Sequence, residues 1–400
     1  DVSHGFRPKR SCHTALKQLR REFNGTRWFV EGDIKGCFDN INHAVLVGLL
    51  NNKIKDARIT KLIYKFLKAG YLENWQYHKT YSGTPQGGII SPLLANIYLH
   101  ELDKFVMKLK SEFDTPGVGQ ITPEYRELHN EIKRLSHRLT KVTGEEREMV
   151  LAEYKPKRQK LMTIPCTAQT DKKLKYVRYA DDFLIAVKGN REDCQWIKSK
   201  LAEFIGDTLK MELSEDKTLI THSSKCARFL GYDVRVRRSG KIKRGGPGHV
   251  KMRTLNGGVE LLVPLNDKIR QFVFTKGVAI QKKDGSMFPV HRKYLVGLTD
   301  LEIVSVYNAE LRGICNYYGM ASNFCKLHYL AYLMEYSCLK TLASKHKTSL
   351  SKTIDKFNDG TGKWGIPYET KQGNKRRYFA NYADCKGKGP ATDYISNAAV

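Results

Sequence analysis

Two adjacent carboxylates, Asp181 and Asp182, lie between two short apolar runs in the segment KYVRYADDFLIAV (175–187). The runs alternate well enough to predict the two arms of a β-hairpin with the acids at its turn. Clustered carboxylates can hold two Mg²⁺ ions about 4 Å apart, an arrangement suited to phosphoryl-transfer chemistry. Surface turns are also rich in Asp, so the pair alone does not separate a metal site from a solvated turn.

A further pair of acids lies upstream, in RWFVEGDIKGCFDNINH (27–43). The run WFV predicts a strand, and Asp33 lies near its end, where it is well placed to complete a metal site with Asp181 and Asp182. We interpret Asp39 first as a helix N-cap. Core packing is the default expectation for Phe38, as for most phenylalanines.

The segment SGTPQGG (82–88) has three glycines and one proline, which excludes a helix or a regular strand. Backbone amides in a loop with so little side-chain bulk can approach a substrate closely, although a plain turn is the alternative. The apolar residues that follow recur at helical spacing and predict a buried helix. They are Leu94, Ile97, Leu102 and Phe105.

These segments belong to an ordered series of six blocks: HGFRP (4–8), Asp33 to Asp39, SGTPQGG, YADD (179–182), LSEDKT (213–218) and FLGY (229–232). In this combination and order the chain resembles the reverse transcriptases encoded by group II introns. The region from about 250 to 345 also resembles the maturase thumb of that family. The resemblance implies an α+β fold: a right-hand polymerase with an antiparallel palm sheet, partial fingers, a helical insertion and a three-helix thumb, the maturase domain.

The resemblance implies a role for individual residues. Asp33, Asp181 and Asp182 would be the catalytic acids and the ligands of two Mg²⁺ ions, together with the backbone carbonyl of Ile34. The Phe38 ring would lie under the sugar of the incoming nucleotide and exclude a 2′-hydroxyl. Further residues implied to bind the nucleotide are Gln86, Gly87 and Lys217, and those implied to bind template or primer are Arg7, Gly231, Tyr232 and Arg312.

The activity implied is RNA-directed DNA synthesis from dNTPs, together with binding of the group II intron RNA to promote its splicing and its insertion into target DNA. The template would be RNA with a DNA primer, and the oligomeric state stays open between a monomer and a homodimer. Two alternatives remain: an RNA-binding splicing cofactor whose polymerase site is unused, and another bacterial reverse transcriptase of the retron or diversity-generating type.

Composition favours a polyanionic partner, because 69 Lys and Arg against 41 Asp and Glu give a formal net charge of +28. The nine cysteines are scattered without a CxxC pair, which argues against a zinc site and predicts reduced thiols. No apolar run approaches 18 residues and no signal peptide is recognisable, so we expect no membrane partner. The expected location is the bacterial cytoplasm, with an organelle as the alternative.

The chain starts inside a family block, so we expect it to be a fragment that lacks the start of the fingers and the DNA-binding and endonuclease regions. The expected division is remaining fingers and first half of the palm (1–103), helical insertion (104–172), second half of the palm (173–250), thumb (251–346), and basic linker with the start of a DNA-binding region (347–400). In the insertion, Pro123 fits a helix first turn, and Thr143-Gly144 separates it from a second charged helix ending near Tyr154.

The thumb is predicted as three helices, within PLNDKIRQFVFTKGV (264–278), TDLEIVSVYNAELRGICNYYG (299–319) and NFCKLHYLAYLMEYSCLKTLASKH (323–346). Thr299 is the predicted cap of the second helix. Beyond His346 the helical pattern dissolves. An aromatic stripe in this region is expected to be core rather than an RNA platform. Its members are Tyr317, Tyr318, Tyr329, Tyr332 and Tyr336.

Overall fold

The computed structural model describes residues 2–73, 75–78, 82–84, 88–117, 120–166, 171–239, 241–245, 250–252, 254 and 256–385. The chain forms two compact units. The first comprises Asp1–Phe229 and Arg235–Val259, and the second comprises Leu230–Val234 and Glu260–Thr392.

The first unit combines helices with an antiparallel sheet. Its helices are α1 (Cys12–Glu22), α2 (His43–Asn51), α3 (Ala57–Lys68), α4 (Ser91–Phe113), α5 (Pro123–Leu139), α6 (Gly144–Leu161) and α7 (Arg191–Asp207). Its strands are β1 (Trp28–Gly32), β2 (Tyr71–Glu73), β3 (Gln76–His78), β4 (Lys173–Tyr179), β5 (Asp182–Lys188), β6 (Ile220–His222), β7 (Ala227–Phe229), β9 (Lys243–Gly245) and β10 (Val250–Met252). Two further strands, β8 (Tyr232–Val236) and β11 (Val259–Leu262), include residues of both units.

The main sheet has the order β4-β5-β1-β6, and its neighbouring strands are antiparallel. In β5 the five residues from Phe183 to Val187 are all buried, so this strand is covered on both faces. That explains why its sequence is a continuous apolar run rather than a clean alternation. Helices α4 and α7 join the same core, where the rings of Phe105 and Phe204 stack with centroids 4.1 Å apart.

The predicted helical hairpin between the two halves of the sheet is present as α5 and α6. Pro123 occupies the first turn of α5, as predicted, and the side chain of Thr122 caps the helix. The two helices exchange ion pairs such as Lys157–Glu131 at 3.1 Å. The second helix continues past Tyr154 to Leu161, so its predicted end was seven residues too early.

The second unit contains the three predicted helical segments, with extensions that sequence reasoning did not foresee. Its elements are α8 (Arg270–Thr275), β12 (Ala279–Gln281), β13 (Met287–Pro289), α9 (Asp300–Tyr317), α10 (Leu327–Lys345), α11 (Leu350–Phe357), β14 (Gly365–Thr370) and β15 (Gly373–Tyr378). Thr299 caps α9 in a capping box with Glu302, which confirms that prediction. The first segment begins with a π-helical turn, Leu265–Ile269, before α8.

The expectation of an unpatterned chain beyond His346 was wrong, because α11 and the β14–β15 hairpin follow there. Asn308 of α9 fixes the exit of this hairpin: its amide donates to the Tyr378 carbonyl at 2.8 Å and accepts from the Ala380 N–H at 2.7 Å. A single buried amide thereby bonds to two backbone groups at the end of the hairpin.

The cysteines, all of which lie in the described ranges, form no disulfide, in agreement with the prediction of free thiols. Among the helices that the structure describes, none combines the length and the apolar character needed to cross a bilayer.

Candidate active site

The β4–β5 hairpin presents the two adjacent acids at its tip, as predicted. Tyr179 pairs with Asp182, which leaves Ala180 and Asp181 as the two-residue turn. Ala180 has a φ of +55°, a left-handed conformation that non-glycine residues rarely adopt. The turn therefore stays in this conformation only because surrounding groups hold it.

Strand β1 brings Asp33 to the same end of the sheet. The register pairs Gly32 with Phe183, so Asp33 follows β1 where β5 begins with Asp182. The Asp33 carbonyl accepts a hydrogen bond from the Ser214 N–H at 2.9 Å. This bond ties the end of β1 to the LSEDKT segment.

Lys217, in the same segment, places its ammonium 3.0 Å from a carboxylate oxygen of Asp33. The hydrogen bond and charge of Asp33 raise the pKa of Lys217, which therefore stays protonated at neutral pH. Lys217 thus lies beside the three acids that were expected to form one metal site, Asp33, Asp181 and Asp182.

The three carboxylates repel one another. Partial desolvation, together with the charges of Asp181 and Asp33, raises the pKa of Asp182 to about 6. Desolvation, followed by the charge of Asp33, also raises the pKa of Asp181. The local negative charge is only partly offset by Lys217.

This donor set fits divalent metal ions, because a cation would relieve the repulsion and carboxylate oxygens are the ligands that hard cations prefer. Within the described ranges, no group of three or more His, Cys, Asp or Glu side chains forms a cage able to hold a metal ion by itself. In enzymes that act on phosphate-containing substrates, Mg²⁺ sites are typically completed by substrate phosphates and water, so a preformed cage of side chains is not required.

Phe38 lies in the turn after β1 and is half-buried against the core of the first unit. The start of the SGTPQGG segment packs on this turn: the Thr84 N–H donates to the Phe38 carbonyl at 2.7 Å. A Cβ at Gly83 would clash with the backbone of Asp39, so glycine allows this close approach. Gln86 and Gly87 lie outside the described residues.

The interpretation of Asp39 as a helix N-cap was wrong. The helix that follows begins at His43, and Asn42 caps it by accepting from the backbone N–H groups of Ala44 and Val45. Asp39 is exposed in the preceding turn. The chain makes one more turn before entering the helix than the sequence pattern suggested.

The structure places two further predicted residues in the first unit. Ile34 is buried and forms an isolated antiparallel β-bridge with Leu213. The two backbone hydrogen bonds of this bridge use the carbonyl of Asp33 and the N–H of Lys35. Neither bond uses the carbonyl of Ile34, which is the group implied to face a metal ion. Arg7 is exposed, and its guanidinium donates to the Ser3 carbonyl at 3.4 Å.

Arg178 is a site residue that the sequence analysis missed. It is 1% exposed, and its guanidinium forms two hydrogen bonds of 2.7 Å with the Asp103 carboxylate. A third bond of 2.7 Å runs to the carbonyl of Ala180, the left-handed residue of the turn. A buried arginine inside an apolar strand is the signal that could have drawn attention to it.

The HGFRP block supports the same turn from its other side. The Asn96 side chain accepts from Arg178 at 3.3 Å and donates to the Gly5 carbonyl at 2.8 Å. A Cβ at Gly5 would clash with the backbone of Ala180, so only glycine fits there. Two of the sequence blocks therefore meet at the acidic turn.

The remaining predicted residues belong to the second unit. Tyr232 is fully buried, and its hydroxyl donates to the Tyr317 carbonyl. The Tyr318 hydroxyl donates to the Gly231 carbonyl at 3.1 Å, at a backbone position with a φ of +71°. Gly231 and Tyr232 thus shape a turn held by α9, on which Arg312 is exposed.

Comparisons with known proteins agree with this architecture. The family model "Reverse transcriptase (RNA-dependent DNA polymerase)" matches residues 1–115 and 156–234, which include the three acids and Lys217. The family model "Type II intron maturase" matches residues 259–388. The second match argues against the alternative of a retron or diversity-generating enzyme.

Several curated relatives are similar to the chain along most of its length. The group II intron-encoded protein LtrA of Lactococcus lactis subsp. cremoris is 73% identical over 400 residues. The putative COX1/OXI3 intron 1 protein of Saccharomyces cerevisiae is 36% identical over 367 residues, which are 89% of this chain. The chain spans 66% of the length of the bacterial relative and 42% of the yeast relative. On these matches and the architecture above, the chain belongs to the family of group II intron-encoded reverse transcriptases and maturases.

Proposed function

We propose that this chain carries the polymerase and maturase parts of a group II intron-encoded protein, and that it copies RNA into DNA. The observation that carries the proposal is the convergence of Asp33, Asp181 and Asp182 at one end of the sheet, beside the protonated Lys217. A protein that only binds RNA gains nothing from clustered acids beside an anionic ligand.

Asp33, Asp181 and Asp182 would hold the metal, for which we propose two Mg²⁺ ions. The chemistry that bound Mg²⁺ supplies is activation of the primer 3′-hydroxyl and stabilisation of the leaving pyrophosphate. Lys217 keeps its proton beside Asp33, so it can neutralise phosphate charge or donate a proton to pyrophosphate. The glycines of the SGTPQGG loop allow backbone to approach the nucleotide.

Primer extension tests the catalytic proposal. The assay uses a defined RNA template, a DNA primer, dNTPs and Mg²⁺, and compares the wild-type chain with Asp181→Asn. We expect extension to be abolished in the variant while its affinity for RNA is equal or slightly higher, because a repulsive carboxylate is lost. Chelation of the metal should stop extension, and added Mg²⁺ should restore it.

Asp207→Asn provides the matched control, since Asp207 is an exposed acid at the end of α7 in the same unit. It should extend primers like the wild type. Equal loss of extension and RNA affinity in Asp181→Asn would mean that the acid is structural, and would contradict the assignment.

Phe38 is the proposed sugar gate. Because its ring is half-buried against the core, it can be held rigidly enough to exclude a 2′-hydroxyl from the incoming nucleotide. We expect Phe38→Ala to incorporate rNTPs at least about 10-fold more readily relative to dNTPs, in line with the loss of about 1.4 kcal/mol of discrimination. Single-nucleotide incorporation kinetics measure this ratio, and an unchanged ratio would remove Phe38 from the gate.

The second candidate activity, maturase action, rests on the match of residues 259–388 to the maturase family. We propose that the chain binds the group II intron RNA, and that target DNA is a later partner of the ribonucleoprotein. Splicing of a precursor RNA at low Mg²⁺ tests this activity. An Asp181→Asn variant that still promotes splicing would separate the two activities, whereas a wild type that splices without extending primers would favour a pure splicing cofactor.

A further inference from the structure

Three tyrosines of α10 form an exposed ladder on the second unit. Tyr329 is 39% exposed and Tyr332 46%, and Tyr336 is half-buried beside them. Their spacing of three and four residues places them on one side of the helix. The Tyr329 and Tyr332 rings are nearly parallel, at 13° with centroids 6.3 Å apart, and those of Tyr332 and Tyr336 lie 4.6 Å apart.

The ladder is not needed to build the core. The apolar residues that alternate with these tyrosines along α10 are buried instead, among them Leu330, Leu333 and Met334. Among the described residues, the Tyr332 and Tyr336 hydroxyls have no hydrogen-bond partner, and that of Tyr329 only reaches the Met287 carbonyl at 3.5 Å. Exposed aromatic rings grouped in this way mark an interaction site.

Two lysines adjoin the ladder. Phe288 of β13 is 39% exposed, and the ammonium groups of Lys340 and Lys282 lie 3.6 Å and 4.5 Å from its ring centroid. Lys340, four residues after Tyr336 on α10, donates to the Pro289 carbonyl at 2.7 Å. Partial burial, followed by the charge of Lys282, lowers the pKa of Lys340.

This positive charge is only partly offset locally: the hydrogen bonds of Ser286, and to a lesser degree the charge of Lys282, lower the pKa of Asp284. Within the part of the chain that the structure describes, neither Lys282 nor Lys340 has a carboxylate partner. The acids close in sequence bond to other groups: Glu335 accepts from the Trp364 indole at 2.8 Å, and Asp284, which forms no ion pair with Lys282, accepts from Ser286 at 2.7 Å. The surface therefore offers, side by side, aromatic faces and two lysines that form no ion pair among the described residues.

We propose that this surface binds unpaired RNA, with bases stacked on its rings and phosphates bound by its lysines. The surface comprises Tyr329, Tyr332, Tyr336, Phe288, Lys282 and Lys340. Stacking needs a free base face, which a duplex does not offer, so the rings favour single-stranded over double-stranded RNA. An apolar protein partner would leave both lysines without a counter-charge. The proposal rests on the proposed function, in which the chain binds RNA, and names the kind of RNA segment that this surface takes.

Fluorescence anisotropy with the whole chain tests the proposal. The probes are a labelled, unstructured RNA of about 12 nucleotides, the same RNA annealed to its complement, and a single-stranded DNA of the same sequence. We expect Tyr332→Ala to weaken binding of the single-stranded RNA by roughly 5- to 100-fold and to leave duplex binding unchanged. Tyr332→Phe should keep the wild-type affinity for single-stranded RNA, whereas Tyr332→Leu should weaken it, because only the aromatic ring is required.

Tyr64→Ala is the matched control, because Tyr64 of α3 is 38% exposed with a lysine 4.7 Å from its ring centroid but belongs to the first unit. It should bind like the wild type. Lys282→Gln should lower the magnitude of the slope of log affinity against log salt by about 0.7. Near-UV circular dichroism of each variant verifies that the fold is kept.

The outcomes separate this inference from the proposed function. If Tyr332→Ala and Tyr332→Leu bind single-stranded RNA as tightly as the wild type does, the proposed RNA-binding surface is overturned and the proposed function stands. Equal losses for single-stranded and duplex RNA, or tighter binding of single-stranded DNA, would overturn the assignment to unpaired RNA. A wild-type chain that binds no RNA would overturn both proposals.

Discussion

At the scale of single residues, the position of the two adjacent acids depends on Arg178. Burying its guanidinium lowers its pKa, but the hydrogen bonds that Arg178 donates to Asp103 outweigh this effect, and the pKa of Arg178 lies above its ordinary value. The charged group can therefore hold the Ala180 carbonyl in a turn whose left-handed φ is otherwise unfavourable. We assign Arg178 to positioning, since it acts on the acids through the backbone of their turn.

We expect Arg178→Lys to lower kcat of primer extension by roughly 10- to 100-fold, because lysine cannot span Asp103 and Ala180 together and a displaced acid is catalytically costly. The KM for dNTPs should change little. Single-turnover extension with varied dNTP measures both quantities.

Tyr176→Phe is the control for this change, because the Tyr176 hydroxyl donates to the same Asp103 at 2.9 Å, whereas the bond to the Ala180 carbonyl comes from Arg178. It should cost about 1 kcal/mol of stability and leave kcat unchanged. Parallel losses of kcat in both variants would show that activity follows stability alone, and Arg178 would then have no positioning role.

At the scale of elements, the sequence was most informative where one physical cause determines the outcome. The acids of the YADD block, the capping box of Thr299 and the break at Thr143-Gly144 each follow from local chemistry, and all three were predicted correctly. The partners of Arg178 could not be predicted, because Asp103 lies 75 residues away and sequence spacing carries no information on that contact.

The elements beyond His346 were missed for a related reason. The β14–β15 hairpin has only two buried residues, Gly365 and Ile366, so its apolar periodicity is too weak to identify strands. Its stability depends on tertiary bonds such as those of Asn308. The aromatic stripe also divides in a way that periodicity does not predict, since Tyr318 is buried whereas Tyr329 and Tyr332 are exposed.

Asp300 joins the start of α9 to the end of α10. One of its carboxylate oxygens lies 2.8 Å from the Lys345 ammonium, and the other lies 2.8 Å from Nε2 of His346. Partial burial tends to raise the pKa of Asp300, but the hydrogen bonds from these two residues outweigh it and lower the pKa. A lowered folded-state pKa stabilises the fold above the unfolded-state value of about 3.9. This stabilisation is lost as the pH falls through the folded-state pKa.

We therefore expect Asp300→Asn to lower the free energy of unfolding at pH 7, by less than about 1 kcal/mol because the pair is partly solvated. The difference from the wild type should shrink as the pH falls from about 5 towards 3. Urea denaturation across this range measures it, with Asp355→Asn, an exposed acid of α11, as the control. A difference that does not depend on pH would show that the carboxylate charge is not responsible.

At the scale of the whole molecule, the net charge of +28 makes phosphate neutralisation the dominant expected contribution to RNA affinity. If at least six phosphates are neutralised, the slope of log affinity against log salt for single-stranded RNA should be steeper than about −4. Binding measured between about 50 and 200 mM salt gives this slope. A flat response would contradict the view that the basic surface binds nucleic acid.

The origin of the slope can be tested with two lysines that differ in their local partners. Lys375 of β15 is exposed and bonds only to the neutral side chain of Gln372 among the described residues, whereas Lys200 of α7 forms an ion pair with Glu203 at 2.9 Å. If RNA contacts the β14–β15 hairpin, Lys375→Gln should lower the magnitude of the slope by about 0.7, since one counterion fewer is released. Lys200→Gln should leave the slope unchanged, because its charge is already compensated. Equal effects of the two changes would mean that net charge alone, rather than unpaired lysines at particular positions, determines the affinity for RNA.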